Sequence, residues 1–393
     1  MQASGTTQRR GRLAVLMAAV LAALVACSAA PTASPAPDAG AAPETVTVTD
    51  IVGRQVQVKA PVERMFLGEG RLLYLTAMLD REEPLRRIVG WPDDLKTADL
   101  DTYERYRAEF PEIDRIPEVG ALAQGAFSAE RVIDLKPDVI VLSMSGYKSA
   151  QEIGAIETME KVGIPTVVVD FRDHPLATTG PSVEILGKIM GREDQAREFV
   201  TFYDEQIAMV RDRVATLEPK PVTFLYRAAG LLECCGTFGR SNLGELIELA
   251  GGQNLGTQFL TGESGTLAEE QVFASDPDLI VVTGSNWTHS PSKVPGVGYV
   301  SMGYQADPAR SREQLRALTA QPGWSSLKAV RTGQVHALWH QFYGSPYNFL
   351  AAIQFAKWQH PQAFADVDPT QVYREFHERF LPVPYTGTFW VTM

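Results

Sequence analysis

The sequence predicts an α/β protein of two similar lobes, each built on a mainly parallel sheet, joined by a single long helix. Three observations predict it. Strands and helices alternate through most of the chain, which argues for parallel sheets covered by helices. A helix–turn–strand unit recurs at a constant offset. The longest amphipathic pattern lies between the two copies. That pattern runs from Glu193 to Leu217, where Ala196, Val200, Tyr203, Ile207, Val210, Val214 and Leu217 recur at steps of three or four and share one helical stripe. Gly191 breaks the chain before it, and Pro219 and Pro221 stop it. Roughly 25 helical residues span about 37 Å, the length of a strut between lobes.

The repeat is the strongest organising signal. Its first copy is Ser128-Ala129-Glu130-Arg131-Val132 followed by Pro137-Asp138-Val139-Ile140-Val141. The second is Ala268-Glu269-Glu270-Gln271-Val272 followed by Pro277-Asp278-Leu279-Ile280-Val281. An offset of 140 residues relates Glu130 to Glu270 and Asp138 to Asp278. Glu, Pro, Asp and Ile matching in one register favours duplication over coincidence.

The remaining elements follow in order. Residues 45–60 alternate as a β-hairpin around Asp50-Ile51-Val52-Gly53-Arg54. Short apolar strands are expected at Arg64–Leu67 and Ile88–Trp91, with helices at Leu72–Leu79 and around Tyr103, Tyr106 and Phe110. A glycine-containing loop at 120–125 precedes a helix at Ala129–Leu135. Val139–Leu142 and Thr166–Val169 are unbroken apolar strands of the kind buried on both faces. Beyond the strut, strands are expected at Val222–Tyr226, Leu279–Val282 and Gln334–Trp339. Helices are expected at Leu243–Ala250, Glu269–Ala274, Pro346–Lys357 and Pro369–Phe380. Residues 286–310 read as a long polar connection of the functional kind.

The 393 residues suffice for two domains. A net charge of −11 and the lack of a basic tract argue against nucleic acid as the main partner. Residues 1–27 form a targeting segment. Arg9, Arg10 and Arg12 precede a short apolar run that ends in Leu24-Val25-Ala26-Cys27. Residues 28–44 are an Ala/Pro/Ser-rich tether. The lobes then occupy 45–180 and 219–393, with a helical linker at 181–218. The chain has no Gly-x-Ser-x-Gly elbow, Walker loop or His-Glu-x-x-His, and so offers no enzyme signature.

The run ending at Cys27 resembles a lipobox, which implies an extracytoplasmic protein anchored to a membrane through a lipid on Cys27. The folded part resembles the class III periplasmic binding proteins, the substrate-binding lipoproteins of ABC importers for ferric siderophores, haem and cobalamin. The resemblance rests on Asp50-x-x-Gly53-Arg54, both Pro-Asp strands and Gly163-Ile164-Pro165-Thr166-Val167-Val168. It rests also on Gly239-Arg240-x-x-Leu243-x-x-Leu246-x-x-Leu249-Ala250-Gly251-Gly252 and Gly333-Gln334-Val335. It implies Rossmann-like lobes, a small hinge motion and a monomer working with a permease and its ATPase. It also implies capture of an iron chelate with no covalently bound cofactor; haem or cobalamin is the alternative, and a sensor or scaffold lipoprotein without a transport role is another. Glu130 and Glu270 match the two surface glutamates that meet the permease in that family.

Ligands of open α/β sheets sit at the carboxyl ends of strands. Candidates there are Glu69, Arg71, Ser145, Tyr147, Arg172 and His174 in the first lobe. In the second they are Arg227, Arg240, Trp287, His289, Trp339, His340, Tyr343 and Tyr347, with Arg227, Trp339 and Tyr343 foremost. Arginine suits anionic chelates, and aromatic faces suit flat ligands or cations. Tyrosine and histidine can ligate iron. His336 reads as core, and His360 and His377 as surface residues of the tail; no His-rich loop points to a bare metal ion. Cys234 and Cys235 leave three states open: small residues without a role, a vicinal disulfide, or soft-metal donors.

Overall fold

The computed structural model describes residues 44–120, 127–232, 234–287, 290, 292 and 298–393. Cys27, nearly all of the tether, most of the 120–125 loop and His289 lie outside the described residues.

The chain opens with the expected antiparallel hairpin of β1 (Glu44–Thr49) and β2 (Gln55–Ala60). Gly53 takes a φ of 82° in the turn, a conformation open to glycine at little cost. The Asp50 carboxylate accepts from the Arg54 backbone N at 2.9 Å and from its Nη2 at 2.7 Å. Arg54 also donates to the Thr166 carbonyl at 2.8 Å, which fixes the hairpin to the first sheet.

That sheet contains β3 (Met65–Leu67), β4 (Ile88–Gly90), β5 (Val139–Ser143) and β6 (Thr166–Val169), all parallel, in the order β4-β3-β5-β6. The second lobe adds β7 (Val222–Tyr226), β8 (Gly236–Phe238), β9 (Gln253–Asn254), β10 (Ser264–Thr266), β11 (Leu279–Gly284), β12 (Val335–Trp339) and β13 (Trp390–Thr392). Its main sheet runs β13-β12-β11-β7-β9 and is parallel except for β13. β8 and β10 pair separately.

The repeat has a physical basis. β5 and β11 are interior strands of their sheets. Asp138 accepts through Oδ2 from the backbone N of Glu63 and Arg64 at 3.0 and 2.9 Å. Asp278 accepts through Oδ2 from the backbone N of Val222 at 2.8 Å. Each aspartate thus satisfies the entry of the neighbouring strand, β3 or β7, while its apolar strand fills the sheet interior.

Two helices make the linker. The first, Pro175–Met190, starts ahead of the expected boundary at 181 because Pro175 opens a helix without needing its missing N–H. Gly191, at a φ of 64°, separates it from the strut Glu193–Val214. The strut has 22 residues and ends before Leu217; that length is about 33 Å. The predicted stripe faces inward, but Phe199 and Phe202 are buried as well. They meet Phe349, Phe376 and Phe380 at centroid distances of 5.4 to 6.2 Å. The apolar face is therefore wider than one stripe, since helices Phe349–Gln359 and Pro369–Phe380 cover a second side. One contiguous core includes residues of both lobes and the strut.

Four further expectations need correction. The connection after β11 ends where helix Pro308–Thr319 starts, capped by Asp307. Trp339 and Tyr347 are 0% and 1% exposed and belong to the core; Trp339 packs edge-on against Tyr74, Phe342 and Phe389. His377 is buried too, with Nδ1 2.9 Å from the Val383 carbonyl, because the C-terminal segment folds back over its helix.

Candidate functional site

The carboxyl ends of strands from both sheets meet in one charged cluster. Glu69 and Arg71 follow β3, Arg172 follows β6, Arg227 follows β7, and His340 and Tyr343 follow β12. Glu69 lies between Arg71 and Arg172 and accepts from Arg172 Nη2 at 2.7 Å. Asp94, on the short helix Asp94–Ala98, accepts from Arg71 Nε at 3.1 Å and from the Gly70 backbone. Burial raises Asp94 to about 6, with Glu69 adding to the effect. Burial also acts to raise Glu69, but Arg172 and Arg71 outweigh it and hold that carboxyl at about 2. It is therefore ionised under all ordinary conditions.

Tyr343 is the meeting point of the lobes. Its hydroxyl accepts from Arg71 Nη1 at 2.5 Å. The guanidinium carbons of Arg71 and Arg172 lie 5.7 and 5.0 Å from its ring centroid, within cation–π range. Phe238 stacks on the ring at 6.4 Å and carries Arg227 over its own face at 5.1 Å. Burial would raise the Tyr343 phenol, yet Arg71 and Arg172 prevail and lower it.

Arg227 differs from the other two arginines. It is half-buried and has no carboxylate partner among the described residues, and its Nε is enclosed without a hydrogen-bond acceptor. Burial lowers its pKa, with Tyr343 acting the other way. Arg172 Nε is likewise enclosed and has no hydrogen-bond partner among the described residues. His340 lies alongside, between the rings of Trp287 and Tyr343 at 5.1 and 4.3 Å. Its Nδ1 is 2.9 Å from Thr283 Oγ1, which accepts from the Ala228 backbone N at 2.7 Å. Burial and the three nearby arginines push His340 well below its usual pKa, so the imidazole is neutral.

The lobes are closed over this cluster. The side chains of Glu69, Arg71 and Arg172 are 11%, 12% and 19% exposed. The connection after β11 crosses to the first lobe, where Asn286 Nδ2 donates to Asp101 at 2.7 Å and Trp287 Nε1 to the Ala98 carbonyl at 3.3 Å. Gln341 Nε2 donates to the same carbonyl at 2.7 Å. The half-buried Arg227 guanidinium, which has no carboxylate partner among the described residues and lies beside aromatic faces, can pair with an anion that carries flat or polarisable groups.

Glu69, Arg71, Arg172, Arg227, Trp287, His340 and Tyr343 come together as candidates; Trp339 and Tyr347 do not, being core. Tyr147 packs under Arg54 at 5.1 Å instead, and Arg240 is exposed and outside the cluster. Ser145 is exposed, 3.2 Å from Ser143 Oγ. His174 pairs with Glu245 across the lobes at 2.6 Å. Cys234 and Cys235 are joined in a disulfide, one of the three states left open, in the segment that leads from Arg227 to β8. Asp94, Phe238 and Thr283 escape the sequence reading. Only the strand-end position of Thr283 offered a signal.

The model of the periplasmic binding protein family matches residues 88–341. A TroA-like periplasmic binding protein FepB from Veillonella parvula is 31% identical, with a TM-score of 0.79 over 88% of this chain and 99% of that one. The molybdate-binding protein MolA of Haemophilus influenzae is 21% identical over 86% of this chain and 91% of its own length. The ferric enterobactin-binding periplasmic protein FepB of Escherichia coli is 27% identical over 54% of this chain and 60% of its own length. Two parallel-sheet lobes, a helical linker and a site at the strand ends thus come with a family match across most of the folded sequence, and the chain belongs to the periplasmic binding protein family.

Proposed function

We propose that this protein is the ligand-binding component of an ABC importer, held outside the cytoplasm by a lipid on Cys27. It captures an anionic iron complex, a ferric siderophore, between its lobes and delivers it to a permease. The observation that carries the reading is Arg227. A half-buried guanidinium with no carboxylate partner among the described residues is costly in an empty protein, and an anion placed there removes the cost. The likeness to the ferric enterobactin-binding protein supports the iron complex. A bare oxyanion is the second reading. The tight closure of the cluster favours it, as does the likeness to a molybdate-binding protein.

The test is a fluorescence titration of the ligand-free protein, read through Trp287 beside His340. The expected result is a Kd of about 1 μM or tighter for ferric enterobactin, about −8 kcal/mol, and much weaker binding of molybdate. Tight molybdate binding with none for the ferric complex establishes the oxyanion reading instead. Binding of neither, with a Soret band on adding haem, moves the ligand to the haem class.

A further inference from the structure

Asn242 stands at the junction of the lobes, at the start of helix Asn242–Leu249, and is 3% exposed. Its φ of 52° is left-handed, a region that asparagine enters more readily than most residues. Its side-chain oxygen accepts from the Leu243 backbone N at 2.7 Å, which sets the orientation of the amide. The amide nitrogen then donates twice, to the Arg172 carbonyl at 2.8 Å and to the Tyr343 carbonyl at 2.8 Å. The Asn242 backbone N donates to the Asp173 carbonyl at 3.0 Å.

These two carbonyls belong to the two residues whose side chains meet in the site. Arg172 lies on the loop after β6 of the first lobe, and Tyr343 on the turn after β12 of the second. The guanidinium of Arg172 lies over the Tyr343 ring at 5.0 Å. Neither stretch is held by a strand ladder at that point, so the relative placement of the two side chains depends on what ties their backbones. We propose that Asn242 is a positioning residue of the binding site: one amide group, bonded to both backbones, holds Arg172 and Tyr343 in register across the lobe junction, beside Asn348, whose amide bonds the nearby Phe171 and Ser345 carbonyls.

The chemistry is specific to asparagine. Aspartate at 242 keeps the size but supplies no donor and sets a charge against two carbonyl oxygens. Alanine removes both donors and is strained at this φ. Glycine removes both donors and keeps the backbone conformation, so it isolates the two bonds. His174 and Glu245 cross the same junction nearby without bonding to Arg172 or Tyr343, which makes Glu245→Gln the matched control.

The consequence for ligand affinity rests on the anion-site reading; the effect on site geometry does not. The experiment therefore begins on the ligand-free protein. Tyrosinate absorbance is titrated for the wild type, Asn242→Gly and Glu245→Gln, each against the same chain carrying Tyr343→Phe so that the Tyr343 step is isolated. Asn242→Gly is expected to move that step upward by at least half a pH unit, as Arg172 leaves the ring, while Glu245→Gln leaves it in place. The affinity of Asn242→Gly for ferric enterobactin or molybdate, whichever the wild type binds, is expected to fall about tenfold. A folded Asn242→Gly protein with the wild-type Tyr343 step and affinity overturns the proposal. So does an equal shift in Glu245→Gln, which indicates general loosening of the junction. If the wild type binds neither probe, the anion reading fails while the titration still decides the role of Asn242. Should Asn242→Gly not fold, the wild-type side-chain amide protons decide it by NMR: slow exchange of both with solvent supports the two bonds, and fast exchange of either overturns them.

Discussion

Arg227 is the residue on which the anion reading can be tested most directly. It has no ion pair to lose among the described residues, and its charge is half-buried. Arg227→Gln is therefore expected to weaken ligand binding by roughly ten- to a hundredfold, since a hydrogen bond to a charged group contributes about 1.5–3 kcal/mol. The thermal midpoint should stay level or rise, because an uncompensated charge has been removed. Measuring Kd and Tm on one preparation checks both; a lowered Tm with unchanged Kd would make Arg227 a structural residue. The histidines give a second prediction. Burial lowers His336 to about 3. It also lowers His377 to about 4, against an opposing bond to the Val383 carbonyl. The unfolded chain protonates both near 6.5. Below that pH the folded state binds fewer protons, so their contribution to stability is complete above 6.5 and is lost as pH falls, through about 4 for His377 and about 3 for His336. Asp99 acts oppositely. Burial raises it to about 7 from 3.8, so its contribution is greatest below 3.8 and is lost as pH rises to 7. In an NMR titration from pH 8 to 5, the ring protons of His336 and His377 are expected to hold still. His174 should titrate above 6.5, raised chiefly by its hydrogen bond to Glu245. A midpoint near 6.5 for His336 would contradict its stacking on Trp358 inside the fold.

At the scale of elements, the two Pro-Asp units make a prediction about independence. Asp138 and Asp278 each accept from the backbone entering the neighbouring strand, and Asp278 also pairs with Lys328 Nζ at the surface. Asp138→Ala and Asp278→Ala should each lower the unfolding free energy by about 1 kcal/mol. The double variant should show the sum within about 0.5 kcal/mol, as separate sites do. Denaturant curves of the two single variants and the double variant measure this, and a larger coupling would mean that the two sheets sense each other through the core. These units were also the most legible part of the sequence. A buried parallel strand leaves an unbroken apolar run, so β5, β6, β7 and β11 were found within two residues of their ends. β8 and β10 have three residues each and no alternation to detect. The site divides in the same way. Arg71, Arg172, Arg227 and Tyr343 could be named because strand ends place residues at the cleft. Asp94 could not, since it reaches Gly70 across 24 residues on a separate helix. Nor could Asn242, whose function lies in two carbonyls distant in sequence. Trp339 was misplaced because an aromatic residue at a strand end looks the same in sequence whether it faces a ligand or the core.

In the molecule taken whole, the two lobes carry a pair of like features that the site does not use. Glu130 and Glu270 are exposed, and each is the second residue of its helix, Ala129–Asp134 or Glu269–Ser275. An acidic side chain in a first helical turn is stabilised by the helix dipole, so position alone does not prove a partner. The pairing is more telling, because the two like helix–strand units carry the same exposed charge although neither touches the cluster. On the importer reading, a permease with two equivalent basic sites would engage both glutamates at once. Linked contacts of this kind gain from a high effective concentration, so losing both should cost far more than losing one. Each glutamate is exposed and bears no load in the core, so Glu130→Ala with Glu270→Ala should leave fold and Kd unchanged. Uptake of labelled ligand, in cells whose only copy of the protein is the variant, is expected to drop moderately for each single variant. For the double variant it should fall to background. Wild-type uptake by the double variant would reject docking through these residues. A weakened Kd would instead trace the loss to the lobes themselves, and so separate delivery from capture.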